Sequence, residues 1–406
     1  MVKIVVIGGG AAGFWGAIAC AEAYPQTRIT ILETSGQLLS KVRISGGGRC
    51  NVTHACFEPS QLVGNYPRGS KALRGAFSRF QPQDTVQWFR AHGVSLKTEA
   101  DGRMFPKTND SETIIACLQR TAQKLGIQVR TGMSVTHIKH KGQFTVGCKS
   151  GEKLGCDRIL LATGSHPLGY RLAKQLGHTL VSPVPSLFTF KIQDPRLQGL
   201  AGIAVDPVQL WLTVGDQKFD QQGPLLVTHW GLSGPAVLKL SAWGARAFHQ
   251  SRYQGELTVN WVPHCSYEDL RQRLRETRTA VAKRAISNHC PVDLPQRLWQ
   301  KLIAAAGISS QQRWADLSKT HLRSLLQELT QGKFHVLGKG VFKDEFVTCG
   351  GVDLKQINFK TMESRCCPGL YFAGEVIDID GITGGFNFQN AWTTAWLAAQ
   401  AMGQPE

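Results

Sequence analysis

The chain has 406 residues, 42% of them hydrophobic and 18% charged, a globular balance with room for two or three domains. No run approaches the ~20 apolar residues of a membrane helix, and the chain opens on a strand rather than on a signal-peptide pattern. Its eleven cysteines show no paired metal spacing and read as reduced thiols. Membrane-spanning, metal-centred and disulfide-scaffold classes are therefore excluded, and a cytoplasmic protein is expected. The 46 basic and 29 acidic residues leave a formal net charge of +17. The excess is concentrated, with 15 basic against 6 acidic residues over 41–139 and 13 against 6 over 263–340. Such a field suggests a polyanionic partner, with a soluble basic surface as the equal alternative.

Lys3–Ile7 is a short β-branched run that reads as a buried parallel strand. Gly8-Gly9-Gly10-Ala11-Ala12-Gly13 follows, then an alanine-rich helix over 14–23 and a second strand, Arg28–Leu32, ending at Glu33. This is a dinucleotide-binding βαβ unit. Gly8 permits the tight turn, Gly10 the close approach of backbone to a pyrophosphate, and Gly13 the packing of helix on strand, with Ala12 inside the same turn. The helix N-terminus offers free N–H groups to phosphate. Glu33 is placed to accept hydrogen bonds from a ribose diol, and its charge disfavours a 2′-phosphate. The motif alone does not separate NAD from FAD.

Residues 37–53 are glycine-rich and basic, without helix or strand period. Gly46-Gly47-Gly48 allows backbone N–H groups to crowd an anion or a flat ring, and Arg43 and Arg49 are expected to pair with phosphate. Two helices divided at Pro82 are predicted over 70–93, a strand over 94–97, and a turn into an extended segment over 102–106. Ser111 is placed to cap a helix from about 112 to 125, which Gly126 ends. Residues 129–151 alternate like a β-meander, and 156–164 reads as a buried strand ending in Ala162-Thr163-Gly164. The span 183–262 is rich in strands and turn signals and contains Thr228-His229-Trp230-Gly231-Leu232-Ser233-Gly234-Pro235. From Ser266, which forms a capping-box pattern with Asp269, helical patterning runs to about 331. Residues 345–352 return to strand, 369–375 form a final buried strand, and Gly384-Gly385-Phe386-Asn387 opens a last helix to about 401.

This order predicts an α/β fold: a split Rossmann-like FAD-binding domain (1–187 and 338–406), an inserted β-barrel-like domain (188–262) and a helical domain (263–337). The strand ending at Gly374 is expected in the sheet beside the first glycine turn. The C-terminal pieces select FAD. Glu375 places a carboxylate at a strand end near a ribityl or pyrophosphate group. Gly384-Gly385 lets a helix begin against a flat ring, its positive end facing the negative charge of a reduced flavin. No second glycine motif opens a nicotinamide domain, so NAD(P)H is expected as a transient co-substrate.

These motifs, with Ser45-Gly46-Gly47-Gly48-Arg49-Cys50-Asn51, Thr348-Cys349-Gly350-Gly351-Val352 and Gly374-Glu375-Val376-Ile377-Asp378-Ile379-Asp380-Gly381, stand in the order found in one family. The chain resembles the BaiN/YhiN-type NAD(P)/FAD-dependent oxidoreductases over nearly its whole length. The resemblance implies a flavoprotein core with an inserted barrel and helical domain. It places flavin contacts on Gly8, Gly10, Gly13, Glu33, Lys41, Asn51, Ala162, Gly164, Gly374, Asp380, Gly384, Gly385, Phe386 and Asn387. It also implies one of several activities: reduction of carbon–carbon double bonds, amine oxidation, or reduction of uridine in ribosomal RNA to dihydrouridine.

The concentrated positive charge favours RNA, from which a base would be extruded to reach a buried flavin. Hydride would pass from flavin N5 to C6 of uridine, and an acid would protonate C5. Cys349 in the glycine-flanked strand, Cys50 in the basic loop and His229 beside Trp230 are the candidate acids. Cys366 and Cys367 read as two free thiols. Arg271, Arg273, Arg275 and Arg278 either contact phosphate or form a solvated helix face. A small-molecule flavin oxidase or ene-reductase is the alternative enzyme, and a flavin-bound RNA-binding or redox-sensing protein without turnover the alternative of another class.

Overall fold

The computed structural model describes residues 1–340 and 347–405. The chain divides into two compact units, 1–184 with 347–406 and 185–346. The expected strand start at Glu345 and Phe346 lies outside the described residues.

The first unit is built on a seven-stranded sheet in the order Ile357–Asn358, Glu363–Ser364, Leu370–Phe372, Arg158–Leu161, Lys3–Ile7, Arg28–Leu32, Gln128–Arg130. The five strands from Leu370–Phe372 to Gln128–Arg130 are parallel. The β-branched and leucine side chains of the four strands from Leu370–Phe372 to Arg28–Leu32 are buried on both faces, which suits strands covered by helices. The helix after the glycine turn, Ala11–Ala23, begins three residues earlier than its alanine pattern suggests. The last helix, Phe386–Met402, is apolar nearly all round and buried along most of its length. The two pack closely at Gly16, where an added Cβ would lie 3.5 Å from that of Ala395.

Most other expectations in this unit hold. Helices Ser70–Phe77 and Pro82–Ala91 are separated near Pro82, and a three-stranded meander comprises Val135–Lys141, Gln143–Cys148 and Lys153–Cys156. The strand ending before Gly374 joins the sheet against Arg158–Leu161, and Gly374 meets the glycine turn at Ala12, as expected. Two differ. Residues 40–48, expected without helical period, form a helical segment broken by non-helical backbone at Ser45, Gly46 and Gly47. Ser111 precedes Glu112–Lys124 without capping it by its side chain; its hydroxyl donates to the Arg43 carbonyl, and Asp110 accepts from the Glu112 N–H instead.

The second unit holds a seven-stranded antiparallel sheet. Its order is Gly332–Val336, Gly255–Asn260, Ala204–Val214, Gln217–Thr228, Gly231–Ser233, Phe190–Lys191, Gly338–Lys339. The two ends of this order are separated in the chain by Leu337 alone, so the sheet rolls back toward one stretch of backbone. Helices Pro235–Trp243 and Ala245–Gln250 interrupt the expected run of strands, and the outer strands come from 332–336, expected to end the helical domain, and 338–339, expected to open the second FAD-binding segment. The regions 188–262 and 263–337 share one core, in which Leu257, Val259 and Phe334 of the sheet meet Leu270, Leu274, Leu298 and Trp299 of the helices. Ser266 caps the helix Tyr267–Ala280 by accepting from the Asp269 N–H at 3.1 Å, while the Asp269 carboxylate takes the Ser266 hydroxyl rather than the Ser266 N–H that would close a capping box. No helix among the described residues is long and apolar enough to cross a membrane.

Candidate active site

The glycine turn has the shape its sequence demands. Gly8 has φ +116°, and a Cβ there would lie 2.4 Å from the Ala162 carbonyl oxygen. A Cβ on Gly13 would come within 1.9 Å of the Gly8 carbonyl. Both positions require glycine. Gly10 is the opposite case, because nothing lies within 4 Å of an added Cβ. Gly10 is also the helix N-cap without a side-chain partner for the first-turn N–H groups. A closed turn around an open, N–H-rich face is the cradle a pyrophosphate fills. Glu33 accepts from the Gly9 N–H at 2.7 Å and the Ser35 N–H at 2.8 Å, one on each oxygen. Each oxygen keeps lone-pair capacity for a ribose hydroxyl.

Three long-range arrangements complete the site in this unit. Gly374 (φ +74°) closes against the first helix, where a Cβ would stand 3.0 Å from that of Ala12. Glu375 is held at the strand end by the Thr348 N–H at 2.8 Å and the Lys41 ammonium at 2.6 Å. Lys41 also reaches the Ser165 hydroxyl at 3.1 Å, and Gly164 lies beside the same carboxylate. At the start of the last helix Gly384 and Gly385 both have positive φ, and a Cβ on Gly385 would collide with the Thr53 carbonyl. Asn51 spans this junction, its amide turned so that the oxygen accepts from Gly385 N and the nitrogen donates to the Thr53 carbonyl, both at 3.0 Å. The residues present fit FAD: a pyrophosphate cradle, a ribose-facing acid, and glycines where backbone must approach a ring. Gly47 and Gly48 have positive φ and open space around an added Cβ.

Several candidates have other partners. Arg49 pairs with Glu99 at 2.6 Å and lies 4.0 Å over the Phe105 ring, and Arg43 pairs with Glu112, so neither guanidinium stands ready for phosphate. Asp380 is fully buried in a two-pronged ion pair with Arg68. Burial works against the Arg68 charge, but the Asp380 carboxylate outweighs it and raises the guanidinium pKa. Phe386 is buried, stacked 4.6 Å from His54. Asn387 donates to and accepts from the Gly381 backbone, fixing the loop before the helix.

The candidate acids separate. Cys50 is buried, and burial pushes its thiol up to about 12, only partly offset by a hydrogen bond with Ser45; the lowering expected from neighbouring cations is absent because Arg49 turns away to Glu99. Cys349 is buried within the strand Val347–Val352. His229 is exposed in the turn between Gln217–Thr228 and Gly231–Ser233, in the second unit. None of the eleven cysteines is in a disulfide, Cys366 and Cys367 included. Arg68, Ser165, Thr348 and His54 were not singled out in the sequence; each is a lone polar residue whose partner lies between 27 and 330 positions away.

A parallel sheet with a glycine turn at its centre and a paired-glycine helix start at its edge defines a flavin-dependent oxidoreductase of the dinucleotide-binding α/β class. The chain belongs to the family described as the HI0933-like protein Rossmann domain, whose model matches residues 2–401. It is 31% identical over 412 residues to the ribosomal RNA dihydrouridine synthase of Escherichia coli, covering 98% of this chain and 96% of that one. It is 26% identical to the 3-dehydro-bile acid delta(4,6)-reductase of Clostridium scindens, covering 99% of each. Among solved structures, a 3-ketosteroid-delta4-(5alpha)-dehydrogenase from Rhodococcus jostii shares the fold, with TM-score 0.50, 15% identity, and coverage of 98% and 97%.

Proposed function

We propose that this enzyme reduces a uridine of RNA to 5,6-dihydrouridine with NAD(P)H as the electron source. The observation that carries the reading is the concentration of basic residues in 41–139 and 263–340, which a small neutral substrate does not call for. The Escherichia coli relative, by its name, acts on ribosomal RNA. FAD, when bound, would supply two-electron hydride chemistry between NAD(P)H and the C5=C6 bond of the pyrimidine. The chain supplies the rest. Gly10 and the first helix turn hold the pyrophosphate, Glu33 orients the ribose, and the Gly385 helix start stabilises negative charge on the ring. A protein acid adds the proton to C5. Cys349 is the proposed donor, because it stands in the glycine-flanked strand Val347–Val352, whereas burial makes Cys50 a weak acid. His229 is held as the alternative donor.

The test is mass spectrometry of ribosomal RNA from a deletion strain, which should lose one dihydrouridine that the intact gene restores. An unchanged dihydrouridine content would overturn the reading. The Clostridium scindens relative favours a second reading, an enone reductase of small molecules. NAD(P)H-driven saturation of a conjugated steroid enone, with RNA inert, would select it. Rapid bleaching of the visible flavin band by NAD(P)H excludes a module without turnover, and peroxide release in air would point to an oxidase.

A further inference from the structure

The second unit carries its own cavity, of about 390 Å³, on the outward face of its sheet. Along Ala204–Val214, Gly255–Asn260 and Gly332–Val336, alternate side chains are committed to the core: Leu210, Leu212, Leu257, Val259, Phe334 and Val336 are all buried. The residues between them must face outward. Register places Trp211 opposite Thr258, and Thr258 opposite Lys333, in one row across three strands; Asn260 stands in the next row, opposite Gln209. Trp211 is 42% exposed and Tyr267, at the start of the adjoining helix, 47% exposed. With Thr258, Asn260 and Gln331 they line the cavity. Two half-exposed rings flanking amides and a hydroxyl do not serve a core. Asn260 already accepts from the Val262 N–H, which leaves its NH₂ group to donate outward.

The groups around the cavity point to the occupant. Tyr267 begins a helical stripe continued by Arg271 and Arg275, four and eight residues on. Of the acidic groups nearby, Glu268 is matched by Arg271, Glu256 by Lys333, and Asp269 accepts from the Ser266 hydroxyl. Around the cavity these charges are close to balanced, and the basic excess belongs to the wider segment 263–340, with 13 basic and 6 acidic residues. All three tryptophans among the exposed large apolar residues, Trp211, Trp230 and Trp243, belong to this unit. A flat aromatic platform, polar groups at the height of a base edge and cations beyond are the elements of single-stranded nucleic-acid binding. A volume of this size admits a nucleobase with its sugar.

We propose that this face docks a single-stranded segment of the RNA substrate, one base stacking on Trp211 and Tyr267, its edge meeting Asn260, and its phosphates running toward Arg271 and Arg275. The proposal rests on the RNA reading above. Its test is fluorescence anisotropy of the full FAD-loaded protein with a labelled oligouridylate of roughly twelve nucleotides, over a series of salt concentrations. Trp211→Ala should weaken binding about tenfold with the salt slope unchanged, Trp211→Phe should restore most of it, and Arg275→Ala should lower the slope by about one. Equal affinity of wild type and Trp211→Ala, or equal affinity for the same sequence in a duplex, would overturn it. So would loss of dimers by Trp211→Ala at unchanged oligonucleotide affinity, which would assign the face to a second copy of the chain. Trp211→Phe and unchanged thermal midpoints guard against misfolding. If the oligonucleotide binds through Trp211 while no dihydrouridine is made, the uridine-reductase reading fails and the docking face stands. If dihydrouridine is made and Trp211 is irrelevant, the docking face fails alone.

Discussion

Gly10 and Gly13 are three residues apart and make opposite demands. A Cβ at Gly13 would lie 1.9 Å from a backbone oxygen, whereas at Gly10 it would meet nothing. Gly13→Ala should therefore destabilise the apoprotein by about 2 kcal/mol or more in urea denaturation. Gly10→Ala should change apoprotein stability by no more than about 1 kcal/mol yet sharply lower flavin retained on gel filtration, because the methyl occupies the ligand's space. Equal effects of the two on apoprotein stability would contradict the cradle. The buried Arg68–Asp380 pair sets a second expectation at this scale. Arg68→Ala should cost about 3–5 kcal/mol by leaving Asp380 buried without its cation. In a double-mutant cycle, adding Asp380→Asn should cost less than the sum of the two single changes. Asp380 was visible as part of a glycine-bounded acidic motif. Arg68 was not, because a single arginine in a loop carries no signal of a partner 312 residues away.

At the scale of elements, the last helix is positioned by a buried polar chain. Thr53 and Thr85 both donate to the Gln389 side-chain oxygen, at 2.6 and 3.0 Å, while the Gln389 amide donates to Thr393. Trp392 donates to the Val52 carbonyl one turn on. Gln389→Leu should cost about 2 kcal/mol by stranding two buried hydroxyls. It should also weaken flavin binding, since the Asn51–Gly385 junction sits on the same helix start. A stability loss without altered flavin affinity would separate the helix from the site. The helix itself was legible, because paired glycines followed by an unbroken apolar run admit few other structures. The segment 40–48 was not, since its residues are poor helix formers and the Leu39–Arg43 turn is supported by neighbours such as the Ser111–Arg43 contact.

For the molecule as a whole, three buried thiols of the first unit, Cys20, Cys50 and Cys156, are pushed by burial from 9.0 to about 12. In the unfolded chain these thiols ionise near 9 while the folded ones remain protonated, so between pH 9 and 12 the unfolded state binds fewer protons. The stabilisation is complete below pH 9 and is lost as pH rises toward 12. The urea midpoint should fall from pH 8 to pH 10, and fall less in Cys50→Ala. A midpoint flat across this range would show the thiols to be open to water. At this scale the sequence suggested separate barrel-like and helical regions, since the periodicity changes at Ser266. The shared core of Leu257, Phe334, Leu270 and Trp299 joins them, because neither the sheet's inner face nor the helices' apolar stripes find enough cover alone.

The sequence by itself determined the βαβ unit, the positions that only glycine can occupy, the choice of flavin and the excess of positive charge. These are local properties of steric freedom, periodicity and composition. Tertiary structure alone decided which charges are spent inside the fold and which face outward. Arg49, Arg43 and Asp380, all promising in the sequence, are consumed by Glu99, Glu112 and Arg68. Lys41, Glu375 and Asn51 each take a partner 334 residues distant. Sheet order creates those neighbours, and a charge's role depends on what stands within a few ångströms of it rather than on what precedes it in the chain.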